Sequence, residues 1–494
     1  MTTVKNAPGF ALLAVLLLSV GLTASESALA QSTHRKSVEQ KTDSKPTAFQ
    51  YNNGLIPPRS VYSGPFFILN HDWPARPLPP LSDRTPWQAA INGKQISPQN
   101  AGAYANALRQ YVSENARNLI MNYDTWDAKK ARWYNEPWLG SKREAIHGTY
   151  NAGNFSPDIF PGTGLRVNFT THAVTYYDER ATYSLYKTWG ASATRPSVTT
   201  QNVQFAEGSV IVKAAIFTST DPTQPTNWWD AMNGAQVWSL YMSPDGKAPV
   251  QVWPGYVAQF DIIVKDSQSA PKTGWVFTTL VYDSSQPGDA WDKMIPLGAQ
   301  WGNDPQATKP GDTLVENWVN PNAPKYSTQT LGWLGRLSGP NDGATNDIAV
   351  NGKVEKNEPD SSCMSCHSTA QWNVETDKMD SFLLPSFPPT AIPPKAPFQT
   401  CGDDGKPSAD GENICSPEQA SAAWMKWFLD RKGTEPMDAG SVATDFDEVF
   451  SFKSFPLWWA ANSGQSSILL EVPGHTTRFN QYTGAPIRGS STAQ

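Results

Sequence analysis

The stretch from Leu165 to Asp283 leaves this chain few folds to choose from. Within it, residues 203–217, 236–242, 250–265 and 274–283 are rich in Val, Ile, Thr and aromatics, punctuated by Gly, Pro, Asp and Ser. Ser243-Pro244-Asp245-Gly246 has the composition of a hairpin turn between two of these runs. Strands that follow one another without intervening helices pair antiparallel, because a parallel neighbour needs a long crossover. The predicted class is therefore α+β, mainly β: an antiparallel β-sandwich-like domain with a C-terminal mixed helix/loop region. No fixed-period repeat is present, which disfavours a propeller or a solenoid.

Around this region the chain divides into segments. Residues 1–30 read as a signal peptide: Lys5 is the positive end, Phe10 to Val20 the apolar run, and Ala28-Leu29-Ala30 the small-x-small cleavage pattern. A polar, flexible leader over 31–57 follows, then a β-rich domain over 58–340 with an N-terminal helix, then a last region over 341–494. The expected helix starts at Ser97, with Pro98 in its first turn and Ala101, Tyr104, Ala105, Leu108, Tyr111 and Val112 on its buried face. A second helix is expected over 416–432, with Ser416 as cap, Pro417 and Gln419 completing the start signal, and Gly433 as the stop. Its apolar stripe is Ala420, Ala423, Trp424, Trp427 and Phe428. Between 384 and 398, six prolines predict an extended run. Export predicts a periplasmic or secreted protein, with no transmembrane segment after signal cleavage. A net charge of −6 argues against nucleic acid as a partner.

All four cysteines fall between Cys363 and Cys415. Cys363-Met364-Ser365-Cys366-His367 has the spacing that attaches haem: two thiols add across the porphyrin vinyl groups as thioethers, and the adjacent imidazole ligates the iron. A chain of this Cys and His content carries that pattern by chance about 0.0004 times. Two other chemistries use similar spacing. Zinc would need four ligands, which Cys401 and Cys415 could complete, and a dithiol redox pair would want a strand before it and a helix after it. In an oxidising compartment Cys401 and Cys415 instead suggest a disulfide, contributing about 3 kcal/mol. For the sixth iron position Met437 is preferred, with Met379, Met425 and His475 as alternatives. Trp372, Trp424, Trp427, Trp458 and Trp459 are candidates for an apolar wall around the haem. The acidic loop over 402–412 does not match a calcium-binding spacing and reads as a solvated loop.

Residues 361–372, Ser-Ser-Cys-Met-Ser-Cys-His-Ser-Thr-Ala-Gln-Trp, resemble a family of exported bacterial proteins classed with c-type cytochromes. Arg143-Glu144-Ala145-Ile146-His147-Gly148, Gly274-Trp275-Val276-Phe277, Trp301-Gly302-Asn303-Asp304-Pro305 and Gly335-Arg336-Leu337-Ser338-Gly339-Pro340 look like other segments of the same proteins. The resemblance implies one covalent haem c on Cys363 and Cys366, with His367 as the proximal iron ligand, and assigns no reaction. Small cytochromes c usually carry a helix before this motif, whereas here a long β-rich region and a polar loop precede it. The haem is therefore expected against the β-rich domain. The expected function is single-electron transfer to a redox partner protein in the periplasm. One alternative is a haem-dependent, peroxidase-like oxidoreductase with an open distal site. Another is a β-sandwich binding a ligand such as carbohydrate, with the haem as an accessory.

Overall fold

A computed structural model describes residues 56–456, except 138–142, 191–195, 343–344, 351–352, 377–380, 382–399, 402–406 and 409–418, together with Trp458; at 345–350, 353–357, 400–401 and 407–408 it describes the backbone alone. These residues belong to one unit that begins at Ala48. Nine strands make a single antiparallel sheet: β1 Trp133–Tyr134, β2 Tyr150–Phe155, β3 Phe169–Asp178, β4 Val210–Ser219, β5 Val237–Met242, β6 Gln251–Lys265, β7 Trp275–Tyr282, β8 Met294–Gln300 and β9 Asn317–Val319. The order is β1-β3-β4-β6-β7-β8-β9, with β2 also paired to β3 and β5 to β6. The protein is α+β and mainly β, and the sheet does not close into a barrel. Four of the strands are those expected from composition, and the 243–246 turn joins β5 to β6 as a hairpin.

Successive side chains of a strand point to opposite faces, and here both faces are covered. Val210, Val212, Phe260, Ile262, Val264, Val276 and Leu280 enter one core. Helix α1, Ala101–Met121, closes that face by packing Tyr104, Leu108, Val112, Leu119 and Ile120 onto it. It starts three residues later than Pro98 suggests, after a turn in which the Ala101 N–H donates to the Ser97 carbonyl. Tyr111, expected on the buried face, is half exposed. Ile211, Trp275 and Phe277 face the other way, into a second core with Tyr177, Phe205, Met364, Trp372, Phe446 and Phe450. That second layer is made of loops and short helices around the Cys-x-x-Cys-His segment rather than of another large sheet. Continuous apolar runs such as Val210-Ile211-Val212 are the reason: they bury both faces of one sheet.

Two expectations change in the C-terminal part. The polar segment before the motif is a two-stranded hairpin, β10 Thr345–Val350 and β11 Lys353–Pro359, not a loop. The helix expected over 416–432 is reduced, among the described residues, to Ala422–Met425 with Ser421 as its cap. Ala420 has φ +62°, a left-handed conformation through which a right-handed helix cannot run. Trp424, Trp427 and Phe428 are nonetheless buried as their spacing requires. Ser416 and Pro417 lie outside the described residues. Among the described residues no helix is long and apolar enough to cross a membrane.

Candidate functional site

Cys363–His367 forms a short helix, α2, whose i, i+3 and i+4 positions bring Cys363, Cys366 and His367 to one side. Ser362 caps it reciprocally. Its Oγ accepts the Ser365 N–H (3.0 Å), while the Ser365 hydroxyl accepts the Ser362 N–H (2.8 Å). The helix is docked on the sheet through Gln300 of β8, whose Oε1 accepts the Met364 N–H (3.0 Å). The Cys363 N–H donates to the Leu337 carbonyl, and the Trp333 N–H to the Ser361 carbonyl. At Gly332 a side chain would collide with the Ser361 carbonyl, so glycine is what lets the two segments approach. Replacing Ser362 with Ala is expected to cost about 1 kcal/mol of stability. Urea unfolding measures it; an unchanged midpoint would show that the cap contributes nothing.

Behind the motif the buried Arg336 guanidinium donates to the carbonyls of Trp333, Asn303, Asp304 and Ala307 (2.8–3.0 Å). Burial pushes its pKa down to about 10. Two segments singled out in the sequence, 301–305 and 335–340, are thus tied together by one side chain. A third, 143–148, places Glu144 against His172 (2.7 Å) and stacks His147 on Trp238, where burial pushes the imidazole down to about 3. These histidines are core residues, as isolated histidines usually are.

Cys363, Cys366 and His367 line one cleft between the sheet and the C-terminal loops. Its floor is Ile211 and Lys213 of β4, Asp261 and Ile263 of β6, and Trp275, Phe277 and Thr279 of β7; Phe446, Glu448 and Phe452 stand opposite. The recess amounts to about 1250 Å³ with its open side included, no smaller than the roughly 300–1,000 Å³ of ordinary small-molecule pockets.

The donor set fits such a group. His367 Nδ1 lies 2.7 Å from the Phe446 carbonyl oxygen. A carbonyl can only accept, so Nδ1 carries the hydrogen, and in the neutral ring Nε2 holds the lone pair. Metal-ligating histidines are commonly oriented by such a bond on the other nitrogen. The ring is also flanked by Phe277, at 4.7 Å between centroids. Both thiols are free, and burial pushes each well above the ordinary range. That direction disfavours a dithiol redox pair, which works through a thiolate of lowered pKa, even though a strand does precede the motif and a helix does begin at Cys363. The zinc alternative depends on Cys401 and Cys415, whose side chains lie outside the described residues.

The remaining candidates fall elsewhere. Met437 is buried in a separate cluster with Trp333, Trp424, Trp427 and Phe428, and Met425 packs against that cluster. Neither lines the cleft, so as folded here Met437 is a packing residue. Trp424 and Trp427, expected at the haem, belong to the same cluster. Trp372 and Trp458 pack in the core beside α2. The aromatic walls of the cleft are instead Trp275, Phe277, Phe446, Phe452 and Tyr150. Met379, His475, Trp459, Cys415, the Cys401 side chain and the acidic loop lie outside the described residues.

The sequence reading missed the charges of this cleft. Lys213 Nζ sits 2.9 Å from Asp261 and 3.0 Å from Asp342. Burial alone would lower the Lys213 pKa, but the two carboxylates outweigh it and raise it well above the usual value. Burial would likewise raise Asp342, and the Lys213 charge pulls it below its usual range. Glu448 is raised, chiefly by burial, and its Oε1 has no hydrogen-bond partner. One signal was available: Lys213 is the lone charge of β4, and Asp261 stands between Phe260 and Ile262 inside β6.

No family model, curated protein or solved structure matches this chain. The class of protein must therefore be argued from the site.

Proposed function

We propose that this chain is a periplasmic c-type cytochrome that carries one covalent haem c and passes single electrons to a redox partner protein. The observation that carries the reading is His367: its Nδ1 hydrogen is held by the Phe446 carbonyl, its Nε2 is left for a metal, and the two thiols share its cleft. When bound, the haem supplies the one-electron couple. Cys363 and Cys366 hold its edge, Trp275, Phe277 and Phe446 keep water from the imidazole, and the Ser362 cap fixes the helix that spaces all three. Matured in a host that exports it and attaches haem, the purified protein is expected to gain the mass of one haem and a c-type pyridine haemochrome spectrum. Cys363→Ala/Cys366→Ala is expected to lose the covalent haem entirely. A colourless wild-type protein without the mass increment would sink the reading.

One observation favours a second reading, a haem-dependent oxidoreductase with an open distal site. Among the described residues of the cleft wall there is no histidine besides His367 and no methionine, while Lys213, Asp342 and Glu448 place polar groups there. High-spin ferric iron that binds cyanide readily would favour this reading. The far-red absorption of Met–iron ligation would favour the electron carrier.

A further inference from the structure

Two consecutive residues beside the cleft, Asp445 (φ +54°) and Phe446 (φ +65°), are in the left-handed region. Asp tolerates that conformation; for a bulky side chain such as Phe it is an outlier. Each such residue costs about 1–3 kcal/mol and persists only where its surroundings over-determine it. Here they do. Asp445 is fully buried. Its Oδ1 accepts the Trp275 indole N–H (2.8 Å), and its Oδ2 accepts the Phe205 N–H (2.8 Å) and pairs with Lys265. On either side of the pair, the Thr444 N–H donates to the Ala370 carbonyl (2.9 Å), and Asp447 accepts the Tyr177 hydroxyl (2.8 Å). A side chain at Gly433, itself buried, would collide with the Asp445 carboxylate, so the backbone there packs against the turn as well. The strained pair ends at the one carbonyl that faces His367 Nδ1.

We propose that Asp445 is a positioning residue for His367: it locks a strained turn that aims the Phe446 carbonyl at Nδ1 and so sets the tautomer and plane of the imidazole. This deepens the cytochrome reading and rests on it for the role of Nε2, though the tautomer itself exists in the chain without haem. The carboxylate acts at a distance from the iron, through backbone. Trp275 and Lys265, on adjacent strands, are the sheet's contribution to the ligand's geometry. A hydrogen bond on Nδ1 raises the basicity of Nε2 and favours ferric iron.

The test uses the unloaded and the haem-loaded full chain. In the unloaded protein, ¹⁵N spectroscopy of the histidine rings is expected to show His367 as the Nδ1–H tautomer with a slowly exchanging ring proton. In Asp445→Asn, whose amide would turn a donor toward Phe205 N and Lys265, that protection is expected to be lost. In the loaded protein, the same substitution is expected to shift the equilibrium with a fixed redox couple toward ferrous iron by about tenfold, in line with the loss of an outer-shell partner. Should Asp445→Asn fail to fold, Trp275→Phe removes a single anchor and should give a smaller shift in the same direction. A folded Asp445→Asn or Trp275→Phe with unchanged ring exchange and an unchanged redox equilibrium overturns the proposal and leaves the haem reading intact. A wild-type chain that takes up no haem defeats that reading, and the ring spectra of the unloaded protein still decide this one.

Discussion

Lys213→Met is expected to destabilise the protein by about 3 kcal/mol at neutral pH, and by much less in acid. The substitution keeps the length of the side chain and removes the ammonium that faces both Asp261 and Asp342 at hydrogen-bond distance. Breaking a buried ion pair costs about 3–5 kcal/mol, because the abandoned charge stays where water cannot reach it. The low end applies here, since the Asp342 side chain keeps 38% of its exposure and water screens it in part. In the wild type, Asp342 has a lowered pKa, so its contribution is present above the unfolded value and fades as pH falls through the folded one. Without Lys213 the sign reverses at Asp342, while Asp261, which burial already raises in the wild type, rises further; the folded chain then takes up protons first, and stability grows as pH falls. Urea unfolding at pH 7 and pH 5 should show the gap between the two proteins closing. A second change, Asp261→Asn, should recover part of the loss at pH 7 because it removes the stranded charge. A deficit that is the same at both pH values, with no recovery in the double variant, would mean that packing rather than charge explains the effect.

The same cluster marks where sequence reading stops. Strand positions in β4, β6 and β7 were legible because Val, Ile and aromatic runs bounded by turn residues have few other solutions. What covers the sheet was not, since a run apolar at every position requires both faces to be buried but does not say by what. Only the covering elements decide, and they lie far from these strands in sequence, in α1 and around α2. The motif was legible because Cys363, Cys366 and His367 are adjacent in sequence, so local geometry suffices. Its surroundings were not: Lys213, Asp261, Asp342 and Asp445 come from four distant places and meet only once the sheet has formed. The choice of Met437 failed to bring it to the cleft for a related reason. A loop position was inferred from an extended helix over 416–432, whereas the helix among the described residues is Ala422–Met425, which begins only after the left-handed Ala420. Aromatic residues misled in the same way. Trp424 and Trp427, candidates for the wall, lie in another cluster, whereas Trp275 and Phe277 reach the cleft from the sheet.

A second large effect is expected from Asp447. Its carboxyl is 5% exposed, and burial pushes its pKa up to about 7 despite a hydrogen bond from Tyr177. A carboxyl raised above its unfolded value makes the folded chain hold a proton that the unfolded chain releases. Between about pH 4 and pH 7 this group therefore makes stability fall as pH rises, by about 1.4 kcal/mol per unit at most. Asp447→Asn imitates the protonated form at every pH. The variant should match the wild type near pH 4 and exceed it by about 4 kcal/mol at pH 8, where the wild type must keep a buried carboxylate. The asparagine oxygen can accept the Val449 N–H while its amide donates to the Tyr177 hydroxyl, which can also accept, so the turn that ends at Phe446 should survive, and with it the bond to His367. Thermal unfolding across pH 4 to 8 measures the difference. Parallel curves would show that Asp447 is ionised throughout, with water or a cation reaching it. In that case the turn would be held by charge rather than by neutral hydrogen bonds, and the imidazole it orients would face a more polar wall.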